Sequence, residues 1–207
     1  MPGIRFRELP KMKKSETGVI HSKFFDYLLA LNQPQMAGFQ RWLFKPGMLF
    51  NAPETWWGEQ KLRATPHEGL DLYCFADAAG QIKELDKNIK IPAAFAGKIV
   101  KTGNDFLGKS IYLSHELFAA DGRQLYTAYG HTRPLDSLQT GHTVAAGEII
   151  ATLAAPSGKN TRIPGHLHIT LAWVPSSMPA DRLNWQNLSA DHTITLIDPW
   201  PLLSAPA

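Results

Sequence analysis

The chain has 207 residues, 44% hydrophobic and 19% charged, with a formal charge of +3; this describes a soluble globular protein with one sizeable core and an extension. The mild basicity suits adsorption to an anionic polymer. With no aromatics interleaved in a basic cluster, it excludes the usual kinds of nucleic-acid binder.

Along the chain, residues 21–43 read as helical. Phe24, Phe25, Tyr27, Leu28, Leu29 and Leu31 cluster apolar side chains, and Gln33-Pro34 marks a break. A second short helix is expected over 34–43, where Met36, Phe39, Trp42 and Leu43 fall near helical spacing. This aromatic stripe is read as packing on the domain that follows, since exposed aromatic patches are uncommon. From Gly58 the pattern changes to short strands punctuated by Gly, Asp, Asn and Pro, with candidates at 69–75, 94–102, 110–117, 124–129, 149–153, 166–174 and 193–197. Many short strands with turn punctuation predict a mainly β, antiparallel sheet or sandwich behind a short helical N-terminal extension. The expected organisation is an extension over 1–57, a β-domain over 58–200 and a tail over 201–207.

No run approaches ~18 apolar residues, so no transmembrane helix is expected. The start Met1-Pro2-Gly3-Ile4-Arg5-Phe6-Arg7 lacks the apolar stretch of a secretory signal. Cys74 is the only cysteine, which rules out an intrachain disulfide. Three residues past Asp71 on an extended strand, it would face away from that carboxylate, in a buried apolar role.

Two stretches carry donors for a metal ion: His67-Glu68-Gly69-Leu70-Asp71 and His166-Leu167-His168. The second leads into Ile169-Thr170-Leu171-Ala172-Trp173-Val174, which reads as a strand. Residues i and i+2 of a strand share a face, so His166 and His168 project together. With His67 and Asp71 they form the N/O donor set that zinc prefers. Paired histidines on a strand also occur as ordinary core residues; the joint occurrence of both stretches with His131 favours the metal site. A helical H-E-x-x-H reading fails because the fifth position is Asp71 and Gly69 weakens a helix. Glu68 is therefore assigned to the surroundings of the site. His21, His142 and His192 have no motif around them and are read as surface residues.

The ordered set His67-x-x-x-Asp71, Tyr129-Gly130-His131 and His166-Leu167-His168 resembles the lysostaphin-type (β-lytic) zinc endopeptidases. The frame between them is similar: Gly97-Lys98-Ile99-Val100, Gly108-Lys109-Ser110-Ile111-Tyr112-Leu113-Ser114-His115, Val144-Ala145-Ala146-Gly147-Glu148-Ile149-Ile150 and Ile197-Asp198-Pro199. The resemblance spans roughly 58–199. It implies an antiparallel β-sandwich of the duplicated hybrid motif type. It further implies His67, Asp71 and His168 as ligands of one zinc ion per chain, with His131 and His166 as an unliganded catalytic pair. His115 stands where the family often carries a histidine that is not a ligand. A catalytic zinc keeps three protein ligands and an open position for water, whose pKa falls toward ~7. A neighbouring histidine can take and return the proton. His166 is the candidate base and His131 the group that orients water or stabilises the oxyanion, and the two roles stay interchangeable at this point.

The implied activity is hydrolysis of peptide bonds in peptidoglycan cross-links or stem peptides, with a location in the cell envelope, periplasm or outside the cell. Departures from the family pattern are a long insertion over 75–88, Thr132 after His131, and Ala154-Ala155-Pro156-Ser157-Gly158-Lys159-Asn160-Thr161-Arg162 in place of a glycine-rich turn. They alter the loops around the cleft and remove no ligand. Two rivals are a non-catalytic binding or regulatory module of the same fold, and a histidine phosphocarrier. The first should have shed some of these five residues. The second needs two histidines and no carboxylate, and Asp71 argues against it.

Overall fold

A computed structural model describes residues 21–59, 61–155 and 163–203. The start at 1–7, the stretch 156–162 and the end of the tail at 204–207 lie outside them.

Helix α1 (Phe24–Leu31) buries Phe24, Phe25 and Leu28. The Ser22 hydroxyl oxygen accepts the Phe24 N–H at 3.1 Å and so satisfies one of the free N–H groups at its start. At its far end the Asn32 side chain donates to Leu28 O and Lys90 O and accepts the Lys90 N–H, at 2.8–2.9 Å, which ties the helix to a later strand.

The second expected helix is not formed. Residues Phe39–Leu43 are strand β1, paired antiparallel with β3 (Cys74–Asp77). The chain turns at Gly38, which takes the left-handed φ of +72° open to glycine. The strand then stacks Phe39 and Trp42 on Phe75, with ring centroids 5.5 and 6.3 Å away. Tertiary pairing overrides the helical spacing of the apolar residues here. The aromatic stripe does pack inward, as expected.

The long strand expected at 69–75 is broken at Tyr73. Strand β2 (Leu70–Leu72) joins the main sheet, while β3 pairs with β1 and with β4 (Ile82–Glu84) in a three-stranded sheet. The insertion therefore makes the β3–β4 hairpin. Cys74 is buried in that small sheet and burial pushes its thiol up to about 11, an inert packing residue.

The main sheet runs through β5 (Lys90–Pro92), β6 (Gly97–Asn104), β7 (Lys109–Phe118), β8 (Gln124–Pro134), β9 (Thr143–Val144), β10 (Ile149–Leu153), β11 (Leu167–Val174) and β12 (Thr195–Ile197). Every described strand pair is antiparallel. The chain is a mainly β protein of the expected class. Apolar side chains fill both faces: Phe24, Leu28, Ile91, Ile99, Ile111, Tyr129 and Ile169 on one, and Tyr112, Ala128, Ala172 and Val174 on the other. The second face is covered by α2 (Trp185–Ala190), through Leu188, which the sequence patterning did not disclose. Helix α3 (Pro199–Leu203) ends the described chain.

Strand β8 forks. Up to Gly130 it pairs with β11, and from Thr132 it pairs with β10. The residue at the fork is His131, with φ of +61°, and the pairing with β7 slips at the same place. That is the geometry of a β-bulge, which re-aims a side chain.

Candidate active site

Register brings the donors together. Asp71 on β2 lies directly opposite His168 on β11, and His168 is opposite Gly130 on β8. His67 precedes β2 and turns back over the same spot, its N–H donating to Ala52 O at 3.0 Å. Gly69 makes the approach possible: a Cβ there would fall within 3.0 Å of Ile169 O, Thr170 Oγ1 and His168 Nε2. His67, Asp71, His131, His166 and His168 are all buried around one cavity of about 140 Å³.

The outer atom of each donor is tied down. His67 Nδ1 donates to Leu49 O at 2.9 Å, because a carbonyl can only accept, and its Nε2 lone pair turns inward. Trp56 Nε1–H donates to Asp71 Oδ2 at 2.6 Å, which leaves Oδ1 facing the histidines. His168 Nε2 meets Thr170 Oγ1 at 2.9 Å and the Glu68 carboxylate at 4.0 Å; the carboxylate favours a proton there and a lone pair on Nδ1. The three inward atoms, His67 Nε2, Asp71 Oδ1 and His168 Nδ1, are separated by 3.3, 3.1 and 2.8 Å. Two imidazole lone pairs and a carboxylate oxygen this close repel one another unless a positive charge sits among them. This group can hold a metal ion.

The titration of the cluster reflects the same crowding, since a proton is one positive charge that can sit among these atoms. Burial raises the Asp71 carboxyl, but the neighbouring imidazoles of His67, His166 and His168 outweigh it and hold it well below the usual carboxylate range. Burial lowers His67, yet the charge and hydrogen bond of Asp71 leave it above its ordinary value. For His168 burial wins over Asp71 and the ring is pushed down.

His166 and His131 stand beside the cluster. His166 donates Nδ1–H to Pro164 O at 2.7 Å, and its buried Nε2 has no hydrogen-bond partner, 3.7 Å from Asp71 Oδ1. Burial pushes its pKa down to about 4, so the ring is neutral with an open lone pair. Trp56 and Trp57 flank it at centroid distances of 5.1 and 5.9 Å, and His131 meets it edge-on at 4.6 Å. His131 lies against the Asp105 carboxylate, with Nδ1 3.2 Å from Oδ1. Trp57, Arg63, Glu68, Phe106 and Trp185 complete the cavity wall. Trp185 reaches His168 at 4.8 Å over Gly130, where a Cβ would collide with the indole.

All five residues singled out by the motifs thus converge, and Glu68 joins the wall. His115 is buried away from the cavity, held by Ala96 O and Thr127 Oγ1. His21, His142 and His192 are exposed, as read from sequence. Trp56, Asp105 and Thr170 were not anticipated. Thr170 could have been found, since the strand alternation that pairs His166 with His168 continues to it.

Residues 65–180, more than half of the chain, match the sequence model of Peptidase family M23. The chain is a member of Peptidase family M23. Among solved structures it is similar to the antimicrobial peptidase lysostaphin from Staphylococcus simulans, at 22% identity and a TM-score of 0.41, over 66% of this chain and 43% of that one. It is also similar to cbpa from L. salivarius REN, at 15% identity and a TM-score of 0.48, over 89% and 94% of the two chains. A third similar structure is the catalytic domain of the prophage-encoded M23 protein EnpA from Enterococcus faecalis, at 21% identity and a TM-score of 0.37, over 58% and 81%. The match thus spans less than half the length of lysostaphin. No curated protein matches the chain.

Proposed function

We propose that this chain is a zinc-dependent metalloendopeptidase that hydrolyses peptide bonds in peptidoglycan cross-links or stem peptides. The observation that carries the reading is the triangle of inward lone pairs. Donors bound to a four-coordinate zinc at ~2.0–2.1 Å lie about 3.3 Å apart, and the three separations of 2.8–3.3 Å fall at or just inside that value. His67 Nε2, Asp71 Oδ1 and His168 Nδ1 would hold the ion. Three protein donors with a cavity beside them fit an open, catalytic site, and a closed structural site would need a fourth.

Zinc, when bound, supplies a Lewis acid that polarises the scissile carbonyl and acidifies water. The chain's own residues do the rest. The imidazoles of His131 and His166 can accept the proton released by the attacking water and pass it to the departing amine nitrogen. Trp57, Phe106 and Trp185 shield this exchange from bulk water, and Arg63 and Glu68 offer charges to the substrate backbone or side chains.

Family membership makes a peptidase activity the natural inference, and peptidoglycan peptide the natural partner, with a site of action in the cell envelope, periplasm or outside the cell. No described helix is long and apolar enough to cross a membrane. The division at residue 57 is kept as an organisational proposal, in which the extension lends Leu49 O, Trp56 and Trp57 to the site. The phosphocarrier reading loses its basis, because the Asp71 charge would repel a phosphoryl group. Digestion of purified peptidoglycan, with mass spectrometry of the fragments with and without chelator, tests the proposal: new amine and carboxyl termini that vanish with chelator support it, and intact peptides in zinc-loaded samples overturn it.

A further inference from the structure

Asp105 stands outside the metal cluster, on the turn between β6 and β7, and the roles proposed above do not use it. We propose that Asp105 is a positioning residue for His131, holding its imidazole as the Nδ1–H tautomer with Nε2 toward the cavity, so that His131 is the proton carrier of the reaction. The proton-carrier half of this rests on the peptidase reading.

The fork in β8 is where the argument begins. Gly130 is the last residue laddered to β11 and Thr132 the first laddered to β10. His131 between them adopts a left-handed φ of +61° that side chains other than glycine rarely take. Its N–H is lifted out of the strand ladder and donates instead to Asp105 Oδ2 at 2.8 Å. The same carboxylate places Oδ1 3.2 Å from the ring Nδ1. One side chain thus grips both the backbone and the imidazole of His131, and a ring held at two points on one side has little freedom to turn.

The carboxylate is itself immobilised. Oδ1 accepts the Leu107 and Gly108 N–H groups at 2.9 and 2.7 Å, and Oδ2 accepts the Ser110 hydroxyl at 2.9 Å. Its side chain is 1% exposed. Bonds to Leu107 and Gly108 alone would cap the turn and require nothing of His131. The additional hold on a strained residue that faces the metal cluster is what a turn cap leaves unexplained.

An ionised carboxylate only accepts, so the neutral ring carries its proton on Nδ1 and its lone pair on Nε2. A proton taken from the attacking water is bound at Nε2, giving an imidazolium beside the Asp105 charge. The same proton is then released to the departing amine nitrogen, and Asp105 stays ionised throughout. His166 has no such support, since its Nδ1–H meets the neutral Pro164 carbonyl, and a charged acceptor stabilises the cation more strongly.

The test has two arms on the zinc-loaded full chain. Nitrogen-15 NMR of labelled histidines, with His131 assigned by its loss in His131→Gln, should show the Nδ1–H tautomer; the Nε2–H tautomer overturns the positioning role. In peptidoglycan hydrolysis, Asp105→Asn should lower kcat by about 10²–10⁴-fold, with KM and zinc content unchanged. In a His131→Ala background the same substitution should change kcat by less than about threefold, because Asp105 then has nothing to act through. Equal losses in both backgrounds would mean that Asp105 serves only the fold, and the proposal fails. Should Asp105→Asn not fold, the NMR of the unaltered chain still decides. Absence of hydrolysis by the unaltered chain overturns the peptidase reading and the proton-carrier role with it, while the tautomer separately decides the hold of Asp105 on the ring.

Discussion

The indole of Trp56 donates to Asp71 Oδ2 across 2.6 Å, so that one oxygen of the carboxylate is committed and only Oδ1 faces the histidines. This assigns each oxygen a separate task, and it links a residue of the N-terminal segment to the metal cluster. Partners that orient a ligand in this way typically contribute about 10–100-fold to metal affinity. Trp56→Phe keeps the ring stacked near Tyr73 and His166 and removes only the donor. Zinc affinity, measured by competition with a chromogenic chelator, is expected to fall by about that factor. An unchanged affinity would mean that the strand pairing of Asp71 with His168 orients the carboxylate unaided.

Removing a ligand should differ in kind from removing a neighbour. His67→Ala, Asp71→Ala and His168→Ala each delete one inward donor and should leave the purified protein with little zinc by elemental analysis. His166→Ala should retain zinc and lose about 10²–10⁴-fold in turnover. Zinc loss in His166→Ala would make it a fourth ligand and the site closed.

A fragment that begins at residue 58 lacks Leu49 O, which fixes the His67 ring, and the Trp56 donor to Asp71. It also lacks β1, the partner of β3. Such a fragment should bind zinc at least about tenfold more weakly than the full chain and melt at a lower temperature. Equal zinc titrations for the two would show that the β-domain builds the site alone.

His115 provides a pH test away from the metal cluster. Burial pushes its pKa down to about 4, against about 6.5 for a free histidine. Above pH ~6.5 the ring is neutral in both the folded and the unfolded chain. As pH falls toward 4 the unfolded ring takes a proton that the folded ring refuses, so stability is lost across that window, by on the order of 3 kcal/mol in total. Below pH 4 both rings are charged and this loss levels off. Urea midpoints followed from pH 7 to pH 4 should fall less steeply in His115→Gln, which cannot titrate; parallel slopes would remove His115 from the account.

Much of the site was legible because its chemistry is carried by rare residue types at fixed spacing. His67 and Asp71 lie within five residues, and His166 and His168 are two apart, so local backbone geometry alone brings each pair near one point. The strands were legible from alternation and turn residues, although Tyr73 splits the first of them. Phe39 and Trp42 misled, because their spacing fits a helix face as well as a pleated strand whose partner, β3, lies more than thirty residues on. Trp56 and Asp105 were illegible for a related reason. Their partners Asp71 and His131 are 15 and 26 residues away in sequence and become neighbours only when the sheet closes. In Asn104-Asp105-Phe106-Leu107-Gly108, an aspartate reads simply as a turn former.

Gly69 bears on how this protein can vary. The volume that any side chain would need at position 69 is already filled by a backbone oxygen of β11, the Thr170 hydroxyl and the His168 ring. At Gly103, on the same main sheet, an added Cβ meets nothing within 4 Å. A mutational library screened for hydrolysis should therefore return glycine alone at 69 and many residues at 103. The glycine inside the first motif is then part of the motif's meaning, and a descendant that lost it would have to rebuild the contact between β2 and β11 before it could recover a site.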